Sequence, residues 1–283
     1  MKLIAVGDNV VDYYVDQEKV YPGGNALNVA VFGKRYGVET SSYIGIIGND
    51  HEGDHIEQSL IKEKINVSRI RRVVGESGIA KVRLSENGDR KFLGWNKGGV
   101  QSLVKIQLTP EDLQFIHSHT LLHTSVYSNL ESELPGLSKD ISISFDFSQV
   151  REKKYLAATC PYLDFAFFSG SDLTKEECLE FIETVHHLGA KNVGITRGEH
   201  GAIFSDSKQL FEQPIVQTKV VDTLGAGDSF IAMFLTKYYE SKDIEISLGK
   251  AARAAAVTCG YYGAFGYGLS KKEWSESIGR SSN

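Results

Sequence analysis

The 283-residue chain contains no run of about 18 apolar residues, so no membrane-spanning helix is expected. Its opening, "MKLIAVGDNVVDYY", stays apolar for only a few residues before Gly7-Asp8. That is too short for a signal-peptide core and suits a first strand. Cysteine is scarce. Cys160, Cys178 and Cys259 are widely spaced and form no Cys-x-x-Cys pair, as expected of reduced, buried thiols in a cytoplasmic protein. Basic runs are missing too: the net charge is −5 with both signs intermixed, which excludes an evident nucleic-acid surface or charged tail. There is no Walker A loop, no protein-kinase loop signature and no Ser nucleophile elbow. No repeat stands out and no Pro- or Ser-rich linker divides the chain, so one domain over residues 1–283 is expected.

What is present is the composition of a globular protein, 41% hydrophobic and 24% charged, enough for a sizeable core. Lys2–Val6 reads as a strand and Asn25–Tyr36 as a helix stopped by Gly37. "SSYIGIIG" reads as a second strand, and Gly53–Ile65 as a helix with Ile56, Leu60 and Ile61 on one face. Strands near 120–125, 141–146, 164–169 and 191–196 alternate with helical patterns near 152–159 and 174–188. This βαβα rhythm predicts an α/β fold, a mostly parallel sheet with helices on both faces. Two stretches break it. Val11–Tyr21 and Gly78–Trp95 look like extended, aromatic-bearing strands, the second with the hairpin turn signal Glu-Asn-Gly-Asp at its centre. Together they predict a small β-lid over one end of the main sheet.

The stretch "VVDTLGAGDSFIAMFLTKYY" (220–239) sets Gly225-Ala226-Gly227-Asp228 against apolar residues at helical spacing. Glycines let backbone N–H groups approach a ligand, and a helix N-terminus adds unsatisfied donors and partial positive charge. That combination suits a phosphate, with Asp228 at the rim to accept a proton from an attacking hydroxyl. Read locally, Asp228 is equally a helix-start acid behind a glycine turn. The dipole that gathers a phosphate also stabilises a carboxylate and weakens it as a base, so the catalytic role requires late proton transfer.

A second glycine turn, Gly23-Gly24, feeds a helix carrying Asn25 and Asn28, whose amides could meet sugar hydroxyls; locally it is a plain turn and helix start. Asp12 is by default an exposed strand residue. "GITRGEHGAIF" puts Thr196, Gly198 and Gly201 past the carboxyl end of a predicted strand, the edge where open α/β sheets bind ligands. The histidines of "HSHTLLH" (His117, His119, His123) straddle a helix end and a strand and need not share a face, so no metal site is expected there. His186 and His187 are expected on a solvated helix face.

In this order, "GDNVVD" (7–12), "GGNALN" (23–28), "GIIGNDHEG" (45–53), "TRGEHG" (196–201) and "DTLGAGDSF" (222–230) resemble the PfkB (ribokinase-like) carbohydrate kinases over essentially the whole chain. Within that family "GGNALNVAVFGKRYG", "FDFS" (145–148) and "LDFAFFSGS" (163–171) look like the fructosamine kinases of fructoselysine 6-kinase type. The resemblance implies a doubly wound sheet with a β-lid formed by 11–21 and 78–95. It implies ATP-dependent phosphorylation of a sugar or fructosamine, with Mg²⁺ and in some relatives K⁺. Asp228 would be the base, and the N–H groups of Gly225, Ala226 and Gly227 the anion hole. Asp12, Gly24 and Asn28 would hold the sugar, and Thr196, Gly198, Gly201 and Thr223 the nucleotide. A monovalent cation would involve backbone near Asp222, Leu224 and Gly263. A homodimer pairing through the lid is implied as well. One departure concerns metal: where relatives carry Asn-x-x-Glu, this chain has Ser169-Gly170-Ser171-Asp172, leaving Asp172 as the candidate Mg²⁺ contact. A kinase for fructose, ribose, ketodeoxygluconate or a nucleoside, and a catalytically silent sensing module, remain alternatives.

Overall fold

The computed structural model describes residues 1–84, 90–270 and 273. Its strands are β1 (Lys2–Val6), β2 (Val10–Tyr14), β3 (Lys19–Gly23), β4 (Thr40–Ile44), β5 (Ile46–Gly48), β6 (Arg71–Val73), β7 (Ile79–Leu84), β8 (Arg90–Trp95), β9 (Leu121–Ser125), β10 (Ser142–Asp146), β11 (Phe165–Ser169), β12 (Asn192–Thr196), β13 (Ala202–Ser205), β14 (Leu210–Gln213) and β15 (Leu269–Ser270). The helices are α1 (Asn25–Arg35), α2 (His51–Lys62), α3 (Val100–Leu103), α4 (Pro110–His117), α5 (Leu134–Leu137), α6 (Lys153–Thr159), α7 (Lys175–His187), α8 (Ala226–Ser241) and α9 (Ile244–Thr258).

The eight-stranded sheet runs β14-β13-β12-β11-β10-β9-β1-β4. Pairs from β4 through β12 are parallel, and β13 and β14 continue it antiparallel. Strands covered on both faces are buried along their whole length, as Leu121–Ser125 is, with its polar residues His123, Thr124 and Ser125 buried as well. One face is covered by α1, α8 and α9 through residues such as Leu27, Phe234 and Ala251. The opposite face is covered by α4, α6 and α7 through Ile116, Leu156 and Ile182. The βαβ units therefore leave the carboxyl ends of β1, β9, β10, β11 and β12 along one edge.

The second sheet, β15-β3-β2-β7-β8, is separate and small and contains strands from both irregular stretches. Val11–Tyr21 is not one extended strand but a hairpin: β2 and β3 pair antiparallel across a turn at 15–18, where Glu18 takes a positive φ of 52°. The Glu-Asn-Gly-Asp turn expected between β7 and β8 lies outside the described residues. "SSYIGIIG" also divides. Thr40–Ile44 pairs with β1 in the main sheet, whereas Ile46–Gly48 leaves to pair with β6 in a sheet of two strands. The helix expected from Gly53 starts two residues earlier because Asp50 caps it, its carboxylate accepting from Gly53 N at 2.9 Å.

Two histidines of "HSHTLLH" have separate partners. His119 Nε2 pairs with Ser42 Oγ at 2.8 Å, and His123 Nδ1 with Ser144 Oγ at 3.0 Å. Among the described residues no three His, Cys, Asp or Glu side chains are arranged for a metal ion. His186 departs from expectation. It bridges the end of α7 to β13, through Ala190 O and Ser205 Oγ, both at 2.9 Å, instead of facing solvent. Cys160 and Cys178 are buried but Cys259 only partly so; all three are free thiols. Among the described residues no helix is long and apolar enough to cross a membrane.

Candidate active site

Helix α8 starts where a side chain cannot sit. Gly225 adopts the left-handed conformation (φ 74°), and a Cβ there would lie 2.6 Å from Ala264 Cβ. Being glycine, the N-cap supplies no side-chain acceptor to the first turn. The first turn thus has no side-chain cap from this position and stands at the positive end of a 16-residue dipole. A Cβ on Gly227 would meet nothing within 4 Å, so the approach to this turn is open. The Ala226 N–H is partly engaged, reaching back to Thr223 O at a long 3.3 Å. Behind the turn the helix is anchored by Phe234, fully buried and in ring contact with Phe165, Phe167 and Phe204. Burying one such side chain contributes roughly 1.5–3 kcal/mol, which holds the helix start in place.

Asp228 sits in that first turn and is 9% exposed. Asn28, one turn into α1, donates from Nδ2 to Asp228 Oδ2 at 2.7 Å. The other end of the same amide, Asn28 Oδ1, is buried with no hydrogen-bond partner. An orphaned buried acceptor costs about 1–3 kcal/mol, so its retention calls for a function. Asp12 is not an exposed strand residue, as its local context suggested; it is 3% exposed, because β2 lies within the five-stranded sheet, paired with β3 next to Gly23. A Cβ on Gly23 would stand 2.8 Å from Asp12 Oδ2 and 3.8 Å from Asn28 Oδ1, so the two acceptors flank one small space. Gly24 closes it. Its φ is 120°, and a Cβ there would lie 2.7 Å from both Asn9 Cα and Asp8 O. Asp12, Gly24, Asn28 and Asp228 thus converge, although 200 positions separate the two partners of the central hydrogen bond.

Two carboxylates not singled out by sequence reasoning support this group. Asp8, within the "GDNVVD" motif, caps α1 from outside the helix, accepting from Asn25 N at 2.6 Å and Ala26 N at 3.2 Å. Ser125 Oγ donates to it at 2.6 Å. Asp146, in "FDFS", accepts from Asn25 Nδ2 at 2.7 Å and Ser148 N at 2.8 Å. Burial, with the Asp8 charge nearby, pushes its carboxyl up to about 6 despite those two bonds. Below them in the sheet, burial drives the His123 ring down to about 3, so it is neutral. An unfolded His protonates near 6.5, hence between pH 6.5 and 3 the unfolded chain binds the extra proton and stability falls as pH falls. Asp146 acts oppositely in the window from 3.8 to 6, so the wild type alone shows only the difference. The expected result is that His123→Met gains stability relative to the wild type as pH falls from 6.5 to 4.5, by about 2 kcal/mol, leaving the opposing Asp146 contribution exposed in a melting profile. Equal pH slopes for the two proteins would refute it.

A second group lies along the same edge. Thr196 ends β12 in register with Ser169 at the end of β11. After it Gly198 (φ 55°) and Gly201 (φ 80°) bracket a tight turn, and a Cβ on Gly198 would lie 3.6 Å from Ser171 Cβ. Thr223 belongs instead to the loop before α8, through its bond from Ala226 N. Asp172 is engaged: Arg151 Nη1 and Nη2 donate to its two oxygens, both at 2.8 Å, and Arg151 Nη2 also reaches Ser169 O. The Arg151 hydrogen bond holds the Asp172 carboxyl below its usual range.

The geometry is that of an open α/β sheet with a helix start whose N-cap is glycine, a buried carboxylate and a small polar space beside the second sheet. Comparison with known proteins agrees. The family model for pfkB family carbohydrate kinases matches residues 1–139 and 159–269. Fructosamine kinase FrlD of Bacillus subtilis is 57% identical over 268 residues, 95% of this chain and 94% of that protein. Fructoselysine 6-kinase of Escherichia coli is 32% identical, covering 94% of this chain and 100% of its own length. Among solved structures, Arabidopsis thaliana ribokinase complexed with ribose and ATP superposes with a TM-score of 0.80 over 97% of both chains, at 21% identity, and carries the fold assignment. The chain belongs to the PfkB family of carbohydrate kinases.

Proposed function

We propose that this protein is an ATP-dependent fructosamine kinase, phosphorylating the 6-hydroxyl of a fructoselysine-type substrate. The observation that carries the reading is the Asn28–Asp228 pair, a carboxylate in the first turn of α8 held by an amide whose opposite end is a buried, unpartnered acceptor. The 57% identity to a fructosamine kinase selects the substrate class within the family. Asp228 takes the proton of the sugar hydroxyl as its oxygen attacks the γ-phosphorus, and ADP leaves in line without a phosphoenzyme. In a loose transition state the proton leaves late, which suits a carboxylate at a helix N-terminus. The N–H groups of Gly225, Ala226 and Gly227 cradle the transferred phosphoryl oxygens, Ala226 exchanging its long bond to Thr223 O for one of them. Asp12 and Asn28 Oδ1 accept from sugar hydroxyls, and Gly24 leaves room for the ring. Thr196, Gly198, Gly201 and Thr223 line the nucleotide. The single domain works with β2–β3 and β7–β8 as a lid that excludes water and limits ATP hydrolysis.

Family membership brings ATP and a divalent metal ion as reaction partners, and Mg²⁺ is the proposed ion. It would arrive on the triphosphate and screen its oxygens. The described residues do not form a cage of three ligands for it, and Asp172 would have to exchange two charge-assisted bonds to Arg151 to serve as a contact. For K⁺, the segments named by the resemblance are already joined, with Leu224 N and Gly263 N both donating to Asp222. No step is assigned to either ion. Use of ATP fits the cytoplasmic setting expected from the three free thiols.

A coupled ADP-release assay against fructosamino acids, free sugars and nucleosides tests the function. Fructoselysine should give the highest kcat/KM. Preference for free ribose or fructose would overturn the substrate, and no ADP with any compound would leave a silent module. A homodimer through the lid is part of the reading. Strand β8 ends the lid sheet, and Phe92, Leu93 and Trp95 on it are exposed. Phe92→Glu with Trp95→Glu should shift the protein from dimer to monomer in light scattering; an unchanged mass would place the interface elsewhere.

A further inference from the structure

The lid strand that carries Asp12 is tied to the loop that builds the phosphate cradle. Tyr14 lies two residues after Asp12 on β2, on the same face of the strand. Its hydroxyl donates to Asp222 Oδ2 at 2.5 Å, across 208 positions of sequence and within the buried interior. Asp222 begins the "DTLGAGD" segment and is fully buried. Its other bonds all stabilise that segment. Leu224 N donates to Oδ1 at 3.0 Å, Gly263 N to Oδ2 at 2.9 Å, and the Asp222 N–H itself goes to Cys259 O. The Gly263 loop matters because the adjoining Ala264 is what Gly225 packs against. One carboxylate therefore fixes the approach to the left-handed Gly225, the packing beneath it and, through Tyr14, the lid strand. Tyr21 on β3 stacks edge-on against Tyr14 at 4.9 Å, but its hydroxyl turns away to Gln17.

We infer that Tyr14 is a positioning residue, a strut that sets the distance between the sugar-holding Asp12 and the phosphate cradle through Asp222. This rests on the proposed kinase reading for its kinetic consequence, though not for its mechanical one. A charge-assisted bond in a dry interior is strong and short, which suits a fixed spacer better than a hinge. Two reactants held by different elements react only when the spacing is right, and an error near 1 Å can cost about 10²-fold in rate. The strut also gives closure of the lid a route to the cradle, since displacement of β2 pulls on Asp222 directly.

The test compares Tyr14→Phe, Asp222→Asn, their combination and Tyr21→Phe with the wild type. Tyr14→Phe should lower kcat for fructoselysine about tenfold, less than the limit for a full misplacement, with the Kd of ATP from calorimetry unchanged. ATP hydrolysis without sugar should rise relative to kinase turnover. The double variant should be no worse than the poorer single one, because both remove the same bond. Tyr21→Phe, which leaves the strut intact, should behave as wild type. Kinetics of Tyr14→Phe equal to wild type, or losses that multiply in the double variant, would overturn the strut. Hydrogen exchange reads it independently of turnover: Tyr14→Phe should speed exchange in β2 and in residues 220–225 together. Faster exchange in one segment alone, or in neither, would overturn the strut even in a protein active on another sugar. An inactive wild type would instead refute the kinase reading.

Discussion

Asp228→Asn is expected to reduce turnover by about 10³-fold, within the range by which a positioned general base accelerates a reaction. The substitution is close to isosteric. The new amide oxygen can still accept from Asn28 Nδ2, which now contacts Asp228 Oδ2 at 2.7 Å, so the local fold has no reason to rearrange. What disappears is the ability to hold the substrate proton. ATP affinity should stay within about twofold, because the proposed cradle uses backbone N–H groups and the proposed nucleotide edge is at Thr196 and Gly198. The measurement is kcat and KM for fructoselysine beside the Kd of ATP from calorimetry. Retention of a tenth of the turnover would remove Asp228 from its role. A comparable loss of ATP affinity would point to a damaged cradle rather than a missing base.

The elements that set the architecture were legible because their signals are local. Lys2–Val6 and the strands at 121–125, 142–146, 165–169 and 192–196 lie within a residue of where apolar runs and flanking turns put them. That the irregular strands belong together outside the main sheet was legible, but not that Val11–Tyr21 turns back on itself, because the turn at 15–18 contains neither Gly nor Pro. Within the site the glycine turns and Asp228 announced themselves by composition, and motif order supplied their roles. Asp12 was misjudged locally, since burial of a polar strand residue depends on what folds over it. Asp8 was inside a recognised motif yet had no assigned part. Its contacts to Ser125 and to α1 span more than a hundred residues and fewer than twenty, respectively, and neither leaves a periodic trace. The Tyr14–Asp222 bond is the extreme case: nothing near either residue indicates that a tyrosine on the lid reaches the cradle loop. Arg151 likewise gave no warning that it would occupy Asp172, the carboxylate assigned by resemblance to metal.

Asn28→Asp is the sharpest probe of the site's electrostatics, and a loss of about 10²-fold in kcat at pH 7 is expected. The change replaces one amide nitrogen by oxygen, but it sets a second carboxylate oxygen where Asn28 Nδ2 now lies, 2.7 Å from Asp228 Oδ2. Two carboxylates so close cannot both ionise. At an effective dielectric of about 20 their repulsion is roughly 6 kcal/mol, so the pair retains one shared proton at neutral pH. The dyad then titrates as a unit, and a carboxyl that already holds a proton cannot take the substrate's. Sugar KM should change less than kcat, since the acceptor facing the sugar is preserved. The acid limb of the kcat profile should move to higher pH, with activity partly recovering as the shared proton is lost. Stability should run the other way. The folded dyad binds a proton that the unfolded aspartates release near 3.9, so the variant loses stability relative to wild type as pH rises from about 4 through the dyad's upper titration. Asn28→Ala separates the contributions, deleting both the hydrogen bond to Asp228 and the proposed sugar-facing acceptor without adding charge, and should raise sugar KM while moving the acid limb upward much less than Asn28→Asp does. An Asn28→Asp enzyme with an unshifted pH profile and turnover near wild type would mean that Asn28 and Asp228 separate in the working enzyme, and with them the central contact on which the proposed chemistry rests.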